Sequence, residues 1–245
     1  MPRFKIALQY DGTKFFGWQF QPSKRTVQNE LEKVITRFSN DNKITVHGSG
    51  RTDTGVHALN QVAHFDLATE LDTCTLTKAI NSYLPEDIFI TSLEVVPGEF
   101  HARYSASKRI YLYQCYTGDN LLFRNQCWMT GPVDYNKLQS VAEVLIGEHD
   151  FLSFCKFRSD VKNTVCKIFE SVWVKQDYML NYNITGNRFL HHMIRYLTGT
   201  MIEISKGRYS LEDFVSLLKN PKKNVQIFKA PPQGLILKKI EYEKN

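Results

Sequence analysis

No apolar run in these 245 residues reaches membrane-spanning length, and the first residues lack the apolar block of a secretory leader, so a soluble, cytoplasmic protein with no membrane partner is expected. The five cysteines, Cys74, Cys115, Cys127, Cys155 and Cys166, include no Cys-x-x-Cys pair, and the seven histidines show no zinc-ligand spacing. Reduced thiols, partly buried as small hydrophobes, are the expectation, and no metal. Walker and Rossmann fingerprints are also missing, so no cofactor is expected. Acid is scarce where the chain is most distinctive. Asp53 has no second carboxylate beside it, which excludes a two-carboxylate glycosidase pair and a hard-metal cage at that point.

What is present is ordinary globular composition, 42% hydrophobic and 23% charged, with a net charge of +6 and a pI near 9.0 that favour a polyanionic partner. Basic and aromatic residues interleave from Phe100 through Arg103, Tyr104, Lys108 and Arg109 to Tyr111. Cations of that kind neutralise phosphates while aromatics stack on exposed bases. The stretch Gly48-Ser49-Gly50-Arg51-Thr52-Asp53-Thr54-Gly55-Val56-His57-Ala58 concentrates three glycines within eight residues, a backbone suited to close approach by another molecule. A lone carboxylate two residues from Arg51 suits a nucleophile, because the cation favours the charged form and lowers its pKa by about 1–3. The competing reading is an Asx-turn in which Asp53 bonds its own backbone.

Along the chain, Phe4, Ile6, Leu8 and Tyr10 alternate with Lys5, Ala7 and Gln9 as in a half-buried strand, followed by a turn at Asp11-Gly12-Thr13. Thr26 caps a helix bearing Val27, Leu31, Val34, Ile35 and Phe38. Strands at Ile44–His47 and Gln61–Asp66 flank the glycine loop, a helix covers Leu76–Tyr83, and Ile88–Val96 is another strand. Tyr111, Tyr113 and Cys115 share one face of the next strand. A helix from Tyr135 to Ile146 ends at Gly147 as C-cap, Val165–Lys175 and Tyr178–Thr185 form a hairpin, and a helix opens at Gly186-Asn187-Arg188-Phe189. On that helix His191 and His192 point in different directions and do not chelate together. A further helix starts from Ser210, and the last strand is Leu235–Tyr242. The pattern is α+β, with a boundary where composition turns polar, giving an N-terminal region of residues 1–104 and a C-terminal region of residues 105–245.

Gly50 to Ala58, continuing through Gln61-Val62-Ala63-His64-Phe65, resembles the active-site motif of the tRNA pseudouridine synthase I (TruA) family, and further landmarks follow to Ala230-Pro231-Pro232-Gln233-Gly234-Leu235. The resemblance implies two related subdomains, each a mainly antiparallel sheet with helices on one face, forming a central RNA-binding cleft. It implies isomerisation of uridine to pseudouridine on the 3′ side of the anticodon stem and loop of tRNA, by a homodimer that does not act on DNA. Asp53 becomes the nucleophile, Arg51 its charge partner and an aid to base flipping, and Tyr111 the residue that stacks on the base and handles its proton. Arg51, Tyr111, His57, Arg103, Lys108 and Arg109 are the expected RNA contacts. One position departs from the family pattern: Cys166 stands where an arginine usually partners the catalytic carboxylate. Lys167, Arg158 or Lys162 substitutes for it, or Arg51 carries the charge alone. Two other readings fit the residues, a catalytically impaired RNA-binding protein or RNA chaperone of the same fold and a synthase for other RNA positions.

Overall fold

The computed structural model describes residues 1–39, 42–157, 159, 161 and 163–243. In chain order the elements are β1 (Arg3–Tyr10), α1 (Val27–Thr36), β2 (His47–Gly48), β3 (His57–Asp66), α2 (Thr73–Tyr83), β4 (Ile88–Val96), β5 (Ala106–Tyr116), β6 (Trp128–Met129), α3 (Tyr135–Glu143), β7 (Gly147–Asp150), β8 (Val165–Gln176), β9 (Met179–Gly186), α4 (Met193–Ser205), α5 (Leu211–Lys219) and β10 (Leu235–Tyr242). The chain divides into two compact units, Met1–Ser107 with Ile236–Asn245, and Lys108–Leu235.

The first unit is built on the strand order β4-β1-β3-β10, with β2 added on β3. β1 runs antiparallel to both neighbours, Ile6 lying opposite Ala63 and Leu93, while β10 meets β3 in parallel through Ile236 and Leu237. The period of two in β1 buries Phe4, Ile6, Leu8 and Tyr10. Thr26 caps α1 by accepting the Asn29 N–H at 3.3 Å, and Val27, Leu31, Val34 and Ile35 face inward. α2 begins before the expected Leu76, at Thr73, because the Asp72 carboxylate accepts the Thr75 N–H at 2.9 Å and fixes the first turn there. Two strand bounds also differ from the sequence reading. Of the stretch 44–47 only His47 pairs, together with Gly48, whereas β3 reaches back to His57, which pairs in parallel with Ile236.

The second unit carries the order β5-β9-β8-β7, antiparallel throughout, with β6 parallel to β5. Tyr111 lies opposite Ile184, and Trp173 opposite Tyr182, whose rings stack at 4.9 Å. α3, capped by Asp134, packs on β8 and α4; α5, capped by Ser210, packs on β7. Gly147 is not a C-cap, since α3 has already ended and Gly147 opens β7, pairing with Ile168. Nor does a helix begin at Gly186. Residues 187–190 are non-helical, His192 takes a left-handed φ of 65°, and α4 starts only at Met193. His191 and His192 therefore do not diverge along a helix; their ring centres sit 4.0 Å apart in the turn before it.

Candidate active site

β2 ends at Gly48 and β3 begins at His57, so the loop between them is held by a strand pair in which His47 faces His64. Its backbone is tied down almost residue by residue. The Ser49 N–H donates to the Val62 carbonyl at 2.8 Å. Gln61, 0% exposed, donates through Nε2 to the Gly50 carbonyl at 2.7 Å, and its Oε1 accepts the Gly50 and Val62 N–H groups at 3.4 and 3.2 Å. A buried amide with these partners offsets the cost of its own desolvation and closes the neck of the loop. Tyr10 and Thr52 join hydroxyls at 2.8 Å, and the Val56 N–H reaches the Asp53 carbonyl at 3.1 Å.

A second strip of chain, residues 12–18, lies against this loop. The Trp18 N–H donates to the Thr52 carbonyl at 3.1 Å, and the Gly55 N–H to the Phe15 carbonyl at 3.2 Å. Gly17 has φ +86°, and a Cβ there would stand 2.5 Å from the Thr52 carbonyl oxygen. At Gly12 a Cβ would lie 2.1 Å from the Val56 oxygen, so the two backbones touch with no room for a side chain. Ser49, Thr52, Val56 and His57 are buried, whereas Arg51 is exposed and Asp53 half-buried.

His57 is 7% exposed, and its Nδ1 accepts the Gly12 N–H at 3.0 Å and stands 3.1 Å from Asp11 Oδ1. Nδ1 accepts the Gly12 N–H in the tautomer that carries its proton on Nε2, whereas a proton on Nδ1 is donated to Asp11; both partners belong to the same turn. Burial alone would raise the pKa of Asp11, but the Thr13 hydroxyl and N–H, at 2.6 and 2.9 Å, outweigh it with help from His57, and the carboxyl lies below its ordinary value. Arg103 belongs to the same unit but to another segment, the turn 101–105. There His101 Nδ1 accepts the N–H groups of Arg103 and Tyr104, and the guanidinium lies 5.7 Å from the Tyr104 ring centre.

In the second unit, β5 carries the remaining expected residues. Tyr111 is 7% exposed and meets Phe189 edge to face at 5.3 Å. Arg109 donates from Nη1 to the Asn187 carbonyl at 2.7 Å, whereas the Lys108 ammonium sits 5.2 Å from the Phe169 ring centre. Cys166 is 0% exposed, and burial pushes its thiol up to about 12 against the lowering effect of Arg188, so it carries no charge near neutrality. Lys167 places its ammonium 5.7 Å from the Phe169 ring centre; Arg158 and Lys162 lie outside the described residues. Sequence reasoning missed the roles of Gln61, Trp18 and Arg188. For Gln61 there was a signal, an amide within a strand that continues through Val62, Ala63 and Phe65.

The family model described as tRNA pseudouridine synthase matches residues 6–105 and 141–243. Curated relatives named tRNA pseudouridine synthase A include those of Dictyoglomus thermophilum, 41% identical over 99% of this chain and 100% of that protein, and of Geobacillus sp., 38% identical over 98% of both. The protein of that name from Maridesulfovibrio salexigens is 39% identical over 99% of this chain and 91% of its own length.

Proposed function

Because the chain belongs to the tRNA pseudouridine synthase family, we propose that it modifies uridines on the 3′ side of the anticodon stem and loop of tRNA, and that Asp53 is the group that reacts with them. The enzyme is an isomerase: the N-glycosidic bond of uridine breaks, the base turns, and a C-glycosidic bond forms, so that C5 loses a proton and N1 gains one. The observation that supports Asp53 is the anatomy of its loop. Backbone groups and the side chains of Thr52 and His57 are tethered on both sides of it, while Asp53 and Arg51 keep access to solvent on a rigid frame.

Reaching C1′ of a stacked nucleotide costs a few kcal/mol, which phosphate contacts must supply. Arg103, Lys108 and Arg109 provide them in this reading, with His57 at the edge of the reacting loop. Arg51 fills the space the base leaves and keeps Asp53 ionised. Asp53 acts at C1′ by direct attack or after proton abstraction, through an ester or a glycal. Tyr111 stacks on the flipped base and handles its proton. The enzyme works in the cytoplasm as a homodimer; Leu121 and Leu122, 79% and 81% exposed, support a surface that a second copy covers.

Pseudouridine content of an unmodified tRNA transcript, read by mass spectrometry after incubation with wild type or Asp53→Asn and no added cofactor, tests the assignment. Conversion by wild type alone, at anticodon-stem and loop uridines, is expected. Equal conversion by Asp53→Asn, or conversion elsewhere in the tRNA, refutes the corresponding half of it.

A further inference from the structure

The strip 12–18 and the loop 52–57 are linked at three rungs: Gly12 to His57, Phe15 to Gly55, and Trp18 to Thr52. Asp53 lies between the residues that make the last two. Those rungs are backbone to backbone and do not depend on the identity of a side chain. The first depends on one ring nitrogen, at a point where Gly12 already crowds Val56.

We infer that His57 is a positioning residue for the Asp53 loop: its Nδ1 fixes the strip 12–18 on the loop from inside, and the ring does not contact RNA. This rests on the reading in which Asp53 reacts. Three features carry the inference. The ring is buried, so it offers little surface to a polyanion. Its Nδ1 meets two groups of the turn 11–13, the buried Gly12 N–H at 3.0 Å and Asp11 Oδ1 at 3.1 Å, and without the ring the Gly12 donor would lose its acceptor. Asp11, beside Nδ1, is itself held by Thr13, so the turn 11–13 and the loop form one hydrogen-bonded assembly. Loss of the rung frees the loop at its Val56 end, and a displacement of about 1 Å at a reacting carboxylate costs about 100-fold in rate.

Two polar variants separate a positioning role from an RNA contact. In His57→Asn the amide oxygen takes the place of Nδ1 and keeps an acceptor for Gly12, whereas in His57→Gln the amide reaches the place of Nε2 and leaves Gly12 without one. Single-turnover rates of pseudouridine formation and tRNA dissociation constants are measured for both, beside wild type and Asp53→Asn, with melting curves to show that each is folded. The expected result is a rate about 10- to 100-fold lower for His57→Gln, recovery of most of that loss in His57→Asn, and tRNA affinity within about twofold of wild type in both. Equal rates for the two variants overturn the inference, and so does a loss of affinity that matches the loss of rate. If His57→Gln fails to fold, His57→Asn decides alone: a rate as low as about 1% of wild type, with the acceptor restored, refutes the role. Full activity of Asp53→Asn removes the reading beneath the inference, an outcome distinct from inert Asp53→Asn with indistinguishable His57 variants.

Discussion

Acidification should weaken the first unit chiefly through His64, with His101, whose pKa burial also lowers, acting in the same direction. His64, on β3, is 2% exposed; its Nδ1 accepts the Ala102 N–H at 3.2 Å, and its ring stacks on His47 at 4.9 Å and meets His101 edge-on at 4.6 Å. Burial, then the charges of His101, His47 and Arg3, lower its pKa from 6.5 to about 4, with Asp66 acting the other way. The folded state therefore binds fewer protons than the unfolded state between those values. His64 contributes full stability above about pH 6.5, loses it as pH falls, and has none left below about 4. At about 1.4 kcal/mol per pH unit the loss at pH 5 is about 2 kcal/mol; screening through exposed His47 brings it nearer 1 kcal/mol. Hydrogen exchange of β3 amides at increasing urea, repeated from pH 8 to pH 4.5, reads this unit separately from the other. His64→Asn keeps an acceptor for Ala102 without titrating, so its stability should fall less over that range. Asp66, held below its usual range by Arg3, loses its share only at lower pH, outside this window. Parallel curves for wild type and His64→Asn would refute the reasoning.

Under the proposed function, Cys166→Arg should shift the acid limb of the pH–rate profile to lower pH, because it supplies the cation expected from the sequence resemblance in place of a thiol that stays neutral. The variant should also lose about 1–3 kcal/mol of stability, since the site is fully buried; an unchanged profile in folded protein counts against any role for the missing charge. Leu122→Glu should convert the proposed homodimer to monomer in sedimentation equilibrium, because a charge in an apolar contact is costly. A wild-type monomer, or a Leu122→Glu dimer of unchanged affinity, rules out that surface.

Much of the fold could be read locally, for reasons that can be named. β1 has its period because one face is buried, and Thr26, Asp134 and Ser210 cap helices because their oxygens accept N–H groups three residues on. The misreadings came where local pattern and long-range pairing disagree. Gly147-Glu148-His149-Asp150 has no apolar alternation, yet it is a strand because β8 offers it partners. The apolar stripe from Phe189 onward suggested helix, but the left-handed His192 delays α4 until Met193.

The site divides in the same way. Asp53 and Arg51 stand out as candidates in the sequence because their chemistry belongs to the side-chain type, and a carboxylate beside a guanidinium means much the same in any fold. The frame that holds them does not. Gly12 reads as a turn residue, and only the folded chain reveals that it lies against Val56 and Gly17 against Thr52, partners far along the sequence. A glycine announces that something comes close without saying what does. His57 is ambiguous in the opposite sense, because an imidazole within such a motif suggests contact with substrate, whereas the fold buries it and sets it against Gly12. Reactive groups must keep an accessible face and so retain a recognisable chemistry. Supporting groups are defined by their partners, and a partner is a property of the fold.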